Sequence, residues 1–138
     1  MEITQDRLKH CIGVARKLYE MSLERGWDIE RAKKMFVLGY VHDIGYEFAD
    51  TQSEHADKGA DILKQCGFQF ANEVKHHGKV QQTYSSEELY MLNVADFLVG
   101  PDGSSVSSSE RLDGIAQRYG EDSSQYIEAK KLAKQLGL

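Results

Sequence analysis

The segment YVHDIGYEF, residues 40–48, places a histidine and an aspartate side by side directly after the apolar run of residues 35–38. Residues 35–41 are nearly all apolar or small, so we expect a central helix here. A buried carboxylate costs several kcal/mol unless it is paired or binds a cation, and no lysine or arginine follows closely. Taken alone, the doublet is more often an ordinary helix C-terminus. With its apolar flank, it predicts that Asp43 has a partner elsewhere in the chain.

Hydrophobic spacing and capping signals around this segment predict an all-α fold of about seven helices in a single domain. Capping boxes are expected at Thr51 with Glu54, at Ser85 with Glu88 and at Ser107 with Glu110. No stretch alternates convincingly as a strand, and the serine-rich residues 104–109 indicate a loop. The predicted helices cover residues 4–24, 29–43, 53–66, 68–77, 88–100, 111–120 and 123–136.

The composition of the 138 residues is ordinary for one globular domain, with 41% hydrophobic and 28% charged residues. A formal net charge of -5 disfavours a dedicated nucleic-acid binder. The two cysteines, Cys11 and Cys66, predict free thiols rather than a disulfide framework. A polar N-terminus without a signal peptide, and no apolar run of roughly 18 residues, predict a cytoplasmic protein without a membrane span.

A second aspartate raises the same question as Asp43. Asp96 lies in MLNVADFLVG, residues 91–100, where apolar residues occur all round the predicted helix. A salt bridge to an arginine of another helix is the simpler explanation for Asp96 alone. Two buried carboxylates in a chain with five histidines favour a divalent transition metal, because carboxylate oxygen and imidazole nitrogen are its standard ligands.

The other histidines are less decisive by pattern. His10 lies beside the apolar stripe of the first helix, and His55 lies in the first turn of the third, where a surface position is the ordinary interpretation for each. Of the adjacent pair in NEVKHHGK, His77 follows the apolar Val74 by three residues. We therefore expect His77 to face the site and His76 to lie at its rim.

Taken in order, these residues resemble the HD-domain superfamily of metal-dependent phosphohydrolases. The signature is carried by His10 in RLKHCIGVA, by His42 and Asp43 in LGYVHDIG, and by Asp96 in NVADFLVG. It covers about residues 6–100 and implies an HD-type helical bundle, with residues 107–137 as packing helices. EHADKGADIL and EVKHHG are similar to segments of a branch that resembles bacterial diadenosine tetraphosphate hydrolases. Many HD proteins carry a lysine at the position of Tyr46.

The resemblance implies one or two divalent ions, of iron, manganese, zinc, cobalt or nickel, and hydrolysis of a phosphate ester or anhydride by metal-activated water. The substrate would be a small phosphorylated compound, such as a nucleotide. Asp43 would bridge the two ions, Glu54 would move protons, and Lys58, Lys79 and Arg7 would hold phosphates. The implied metal ligands are His10, His42, Asp43, His55, His77 and Asp96.

Two other functions stay open on the sequence alone. Enzymes similar to myo-inositol oxygenase use six such ligands for a di-iron centre, so an oxygenase is one alternative. A non-enzymatic nucleotide-binding or metal-stabilised module is the other. The sequence indicates neither the oligomeric state nor the base or sugar of a nucleotide, because no base-reading motif is visible.

Overall fold

The computed structural model of the chain describes residues 3–49, 51–80 and 84–138. Among these residues there are seven α-helices and no β-strand, apart from one isolated bridge between Val99 and Ser105, so the predicted all-α fold is confirmed. Single 3-10 turns cover Ile44–Glu47 and Gln52–Glu54. The helices are α1 (Gln5–Glu24), α2 (Ile29–Val41), α3 (His55–Gln65), α4 (Ala71–His76), α5 (Glu87–Phe97), α6 (Ser108–Tyr119) and α7 (Ser124–Leu136).

The α1–α2 pair forms the centre of the fold. A Cβ on Gly39 would lie 2.7 Å from the Cα of Ala15, so the two helix backbones approach more closely than a side chain would allow. Val14 and Leu18 of α1 are fully buried in the same core as Leu38 of α2. This packing brings the first half of α1 next to the C-terminal end of α2.

The C-terminal helices dock near the end of α5. Leu132 and Leu136 of α7 are buried together with Phe97, the last residue of α5, in a second apolar cluster. Leu112 of α6 packs against the same cluster. Because this cluster surrounds the end of α5, α6 lies close to the turn that carries Asp96.

Several predicted helix ends differ from the observed ones. α2 ends at Val41 and α3 begins at His55, because the chain between them forms two 3-10 turns. The capping box predicted at Thr51 is wrong, since its hydroxyl contacts Ser53 and no side chain caps α3. The cap of α5 is Ser86, one residue later than predicted. The capping box of α6, at Ser107, is confirmed.

No helix among the described residues is long and apolar enough to cross a bilayer. Cys11 is buried and Cys66 is exposed, and both are free thiols. Burial raises the pKa of the Cys11 thiol to about 11, which keeps that thiol protonated and unreactive near neutral pH. The cytoplasmic location stays a prediction.

Candidate metal centre

The ends of several helices meet at one cluster of ionisable side chains. α1 contributes a histidine from its second turn, a histidine–aspartate pair follows the last residue of α2, and α3 begins with a histidine. The chain just after α4 and the last turn of α5 complete the set. The structure brings together all six ligands that the sequence predicted: His10, His42, Asp43, His55, His77 and Asp96.

Asp43 lies at the centre of this cluster and is 3% exposed. Its Oδ1 lies 3.4 Å from Nε2 of His55 and 3.3 Å from Nε2 of His77. Its Oδ2 lies 3.3 Å from Nε2 of His42 and 3.2 Å from a guanidinium nitrogen of Arg7. The two oxygens therefore face different groups, which is the arrangement that a bridging carboxylate requires.

Asp96 closes the other side of the cluster. Its Oδ1 lies 2.7 Å from Nε2 of His10 and 3.2 Å from Nε2 of His42. His42 thus lies between two carboxylates, Asp43 and Asp96. The ligand atoms form three sets of three, each within 4.8 Å of one another: His10, His42 and Asp43; His42, His77 and Asp96; Asp43, His55 and His77.

Three of the histidines are oriented by the main chain. The Nδ1 atoms of His10, His42 and His77 lie 3.1 Å, 2.6 Å and 2.5 Å from the carbonyl oxygens of Gly100, Gly39 and Val74. A carbonyl oxygen can only accept, so each Nδ1 carries a proton. If the ring is neutral, its Nε2 atom then carries a lone pair and can only accept a hydrogen bond. In each of the three histidines this Nε2 atom faces a carboxylate oxygen. Because a neutral Nε2 atom and a carboxylate oxygen are both acceptors, a proton or a cation must lie between them.

The electrostatics of the cluster favour positive charge at its centre. Burial by itself would lower the pKa of His42, but the charges of Asp43 and Asp96 raise it well above its usual range. Burial would raise the pKa of Asp43, but the His42 charge and histidine hydrogen bonds hold it well below its usual range. The pKa of Asp96 is lowered in the same way, against the effect of burial, by His42 and His10. The mixed nitrogen and oxygen donors fit a divalent transition metal.

A close contact between two backbones places His55 beside Asp43. A Cβ on Gly45, in the first 3-10 turn, would lie 1.6 Å from the carbonyl oxygen of His55. The backbone of Gly59 also packs here, since its own Cβ would lie 3.0 Å from the nitrogen of Gly45. The absence of side chains at both glycines lets the start of α3 reach the cluster.

Tyr46 takes part in a stack at the edge of the cluster. Its ring lies 4.1 Å from the ring of His55, with 19° between the planes. The guanidinium of Arg7 covers the ring of Tyr46, with its carbon 3.9 Å from the ring centroid. Arg7 therefore supplies a cation beside Asp43, next to the tyrosine that departs from the common HD pattern.

The other predicted residues lie further from the cluster. Glu54 and Lys58 are exposed and line neither of the cavities at the site, so their catalytic roles stay predictions. Lys79 lines the smaller cavity and forms an ion pair with Asp57 at 3.2 Å. His76 stacks on Tyr84 instead of facing Asp43.

Two cavities open beside the cluster. The smaller, of about 250 Å³, is lined by Asp43 and Asp96, together with His10, His55 and His77. The larger, of about 490 Å³, is also lined by His10 and His55, and it extends towards α6 and the start of α7. The candidate metal centre therefore has access to a space of small-molecule size.

The contribution of α6 to the walls of the cavities was not predicted from the sequence, because residues 107–137 were interpreted as packing helices. Arg111 lines both cavities and Arg118 lines the larger one. A signal was present, since these arginines are seven residues apart and share a helix face. Neither has an acidic residue three or four positions away on α6, so neither has the usual helical ion-pair partner.

His55 offers a test of how many metal ions bind. We expect His55→Ala to lower the metal content of the purified protein by about one ion per chain, because it removes a donor next to Oδ1 of Asp43 and His77. Elemental analysis measures this directly. His76→Ala is the matched control, since that ring stacks on Tyr84, and it should leave the metal content unchanged. An unchanged metal content in His55→Ala would exclude a second ion held by His55.

Comparison with known proteins agrees with this geometry. The chain matches the HD domain family over residues 7–134, which includes α6 and most of α7. It is 38% identical over 85 residues to a protein named Ribonuclease Y from Acetivibrio thermocellus, an alignment that covers 57% of this chain and 15% of the relative. The chain thus spans only a small part of that relative's length. No solved structure matches it at a significant level. The protein belongs to the HD domain family.

Proposed function

We propose that this protein is a metal-dependent phosphohydrolase that acts on a nucleotide or a related phosphate ester or anhydride. One observation carries the proposal: the Nε2 atoms of four histidines converge on the buried carboxylate of Asp43 and the partly buried carboxylate of Asp96, beside a cleft of small-molecule size. Membership of the HD domain family supports it. The residues that would hold one or two metal ions are His10, His42, Asp43, His55, His77 and Asp96.

A divalent metal bound here would supply a Lewis acid for phosphoryl oxygens and would lower the pKa of a metal-bound water far below that of bulk water. The chain's own residues would orient the donors. The carbonyls of Gly39 and Val74 hold the rings of His42 and His77, so that Nε2 of each faces the cluster. Such orienting hydrogen bonds set both the tautomer and the direction of a ligand.

Arg7 is the residue best placed to contact a phosphate near the metal centre. Its guanidinium lies 3.2 Å from Asp43 and lines both cavities. The stack on Tyr46 fixes its plane, and a planar guanidinium binds phosphate through paired hydrogen bonds. Arg7 would therefore position the substrate and offset the negative charge of its phosphate.

The identity of the substrate determines the choice of assay. The relative named Ribonuclease Y suggests a phosphodiester of RNA, whereas the similarity to diadenosine tetraphosphate hydrolases suggests a phosphoanhydride. A net charge of -5 disfavours long nucleic acids. We therefore propose a small phosphorylated compound as the substrate.

The test is a substrate panel with the protein loaded in turn with manganese, iron, cobalt, nickel and zinc. The panel contains nucleoside mono-, di- and triphosphates, diadenosine tetraphosphate, a short oligoribonucleotide and simple phosphate esters. We expect release of phosphate or a nucleotide product from at least one small member, with loss of activity when the metal is chelated. His76→Ala, outside the cluster, should keep that activity.

The alternatives give different results. No turnover of any member by fully metal-loaded protein would contradict the proposal and favour a binding module. Oxygen consumption that depends on added substrate, with two iron ions per chain, would instead indicate an oxygenase. Turnover restricted to the oligoribonucleotide would keep the phosphohydrolase and overturn the small substrate.

A further inference from the structure

We infer that α6 builds a second anion subsite next to the metal centre, and that the substrate therefore carries a chain of at least two phosphates. The inference rests on the proposed function for the phosphate at the metal centre and adds a binding site for the part of the substrate beyond it. Arg111 and Arg118 are the residues of this subsite.

Arg111 is held in place while its charge stays unpaired. One guanidinium nitrogen donates a hydrogen bond of 2.6 Å to the carbonyl oxygen of Val99, just after α5. Its Nε is buried and has no hydrogen-bond partner within the part of the chain that the structure describes. No carboxylate in that part forms an ion pair with it. A partly buried guanidinium anchored through a neutral carbonyl remains available to an anion.

Arg118 lies two turns further along α6 and is exposed to solvent. Its guanidinium has no ion pair with any described carboxylate and contacts the neighbouring ring of Tyr119 at 5.9 Å from the ring centroid. Because it lines the larger cavity but not the smaller one, it lies on the side of the cleft away from Asp43.

The three arginines of the cleft differ in which cavity they line and in whether they contact Asp43. Arg7 contacts Asp43 directly, Arg111 lines both cavities, and Arg118 lines the outer one alone. Against these three cations, Asp6 is the one acidic residue that lines the larger cavity within the described residues. The larger cavity is therefore lined by more cationic than acidic side chains, although the net charge of the protein is -5.

The size and chemistry of the cleft favour a phosphate chain. Its volume of about 490 Å³ accommodates a nucleotide but not a folded nucleic acid. Guanidinium groups bind phosphates through paired, charge-assisted hydrogen bonds, and successive arginines suit successive phosphates. An oligophosphate, either free or attached to a nucleoside, is the class of ligand that uses both Arg111 and Arg118.

The test is calorimetric binding of inorganic tripolyphosphate and of orthophosphate to the protein as purified, with magnesium in excess so that the probe does not remove bound metal. We expect the wild-type protein to bind tripolyphosphate at least about 10-fold more tightly than orthophosphate. Arg118→Gln should weaken tripolyphosphate binding roughly 5- to 10-fold and leave orthophosphate binding unchanged, because Arg118 does not line the smaller cavity, which contains Asp43. Adenosine triphosphate in a parallel titration shows whether a nucleoside adds affinity.

Arg111→Gln should weaken tripolyphosphate binding further, but it also removes the hydrogen bond to the carbonyl oxygen of Val99. If Arg111→Gln does not fold, Arg118→Gln still tests the subsite. The matched control is Arg16→Gln, because Arg16 is an exposed arginine of α1 that lines neither cavity. This substitution should leave the affinities for both anions unchanged. Equal affinity for the two anions in the wild type, or no effect of Arg118→Gln, would overturn the subsite. Selective binding without hydrolysis of any substrate would instead refute the proposed function and leave the subsite standing.

Discussion

Replacement of Asp43 by alanine is expected to abolish metal-dependent phosphohydrolase activity, with a loss of at least about 1000-fold. Removal of a residue that only hydrogen-bonds to a metal ligand lowers metal affinity or activity roughly 10- to 100-fold. A larger loss is expected for Asp43, because its own oxygens lie among the candidate ligand atoms. Its two oxygens face His55 and His77 on one side and His42 on the other, so its loss would affect both halves of the cluster. Metal content should fall in parallel with activity.

Two further variants separate the role of Asp43 in the site from its role in stability. Asp43→Asn keeps the shape of the side chain and removes its charge, so we expect it to lose metal and activity almost as fully as Asp43→Ala. Asp61→Ala, an exposed aspartate of α3, is the matched control and should behave as wild type. A variant of Asp43 that is folded, metal-loaded and active would contradict the assignment. Thermal unfolding of each protein shows which variants are folded.

The second large effect is expected at Gly45. Gly45→Ala places a Cβ 1.6 Å from the carbonyl oxygen of His55, a backbone atom that cannot move aside without displacing the start of α3. We expect the free energy of unfolding to fall by roughly 3 kcal/mol or more. The melting temperature should fall by about 10 °C or more, measured by circular dichroism. His55 should also lose its position beside Asp43.

Gly114 supplies the control for this prediction. It lies inside α6, and a Cβ there would meet only the end of the Arg118 side chain, at 3.5 Å. Gly114→Ala should therefore stabilise the protein by about 0.5–1 kcal/mol through helix propensity. An equal, small effect of both alanine substitutions would show that α3 does not approach the 3-10 turn at Gly45 as described.

Local signals in the sequence were sufficient for most of the helices. The cap at Ser107 was predicted correctly because its partner, Glu110, lies within the same turn. The start of α3 was wrong because the 3-10 turns before it are set by the packing of Gly45 on a distant backbone. The cap of α5 moved to Ser86, whose hydroxyl also donates to the buried Glu73. Tertiary contacts determined both differences.

Local sequence signals also predicted part of the candidate site. Apolar flanks marked Asp43 and Asp96 as carboxylates that need partners, and the structure places histidines against both. The contact between Arg7 and Asp43 was not predictable, because the two residues are 36 positions apart. The position of Arg111 beside the two cavities was missed because it depends on how α6 docks against the end of α5, which no local pattern specifies.

The proposed function depends on the binding of divalent metal by the cluster of histidines and aspartates. Anomalous X-ray diffraction from crystals grown with manganese tests it most directly. We expect one or two strong anomalous peaks among the Nε2 atoms and the carboxylates of Asp43 and Asp96, and no such peaks in crystals of Asp43→Ala. Manganese bound only elsewhere on the protein, or no peak at the cluster in fully loaded wild-type crystals, would contradict it.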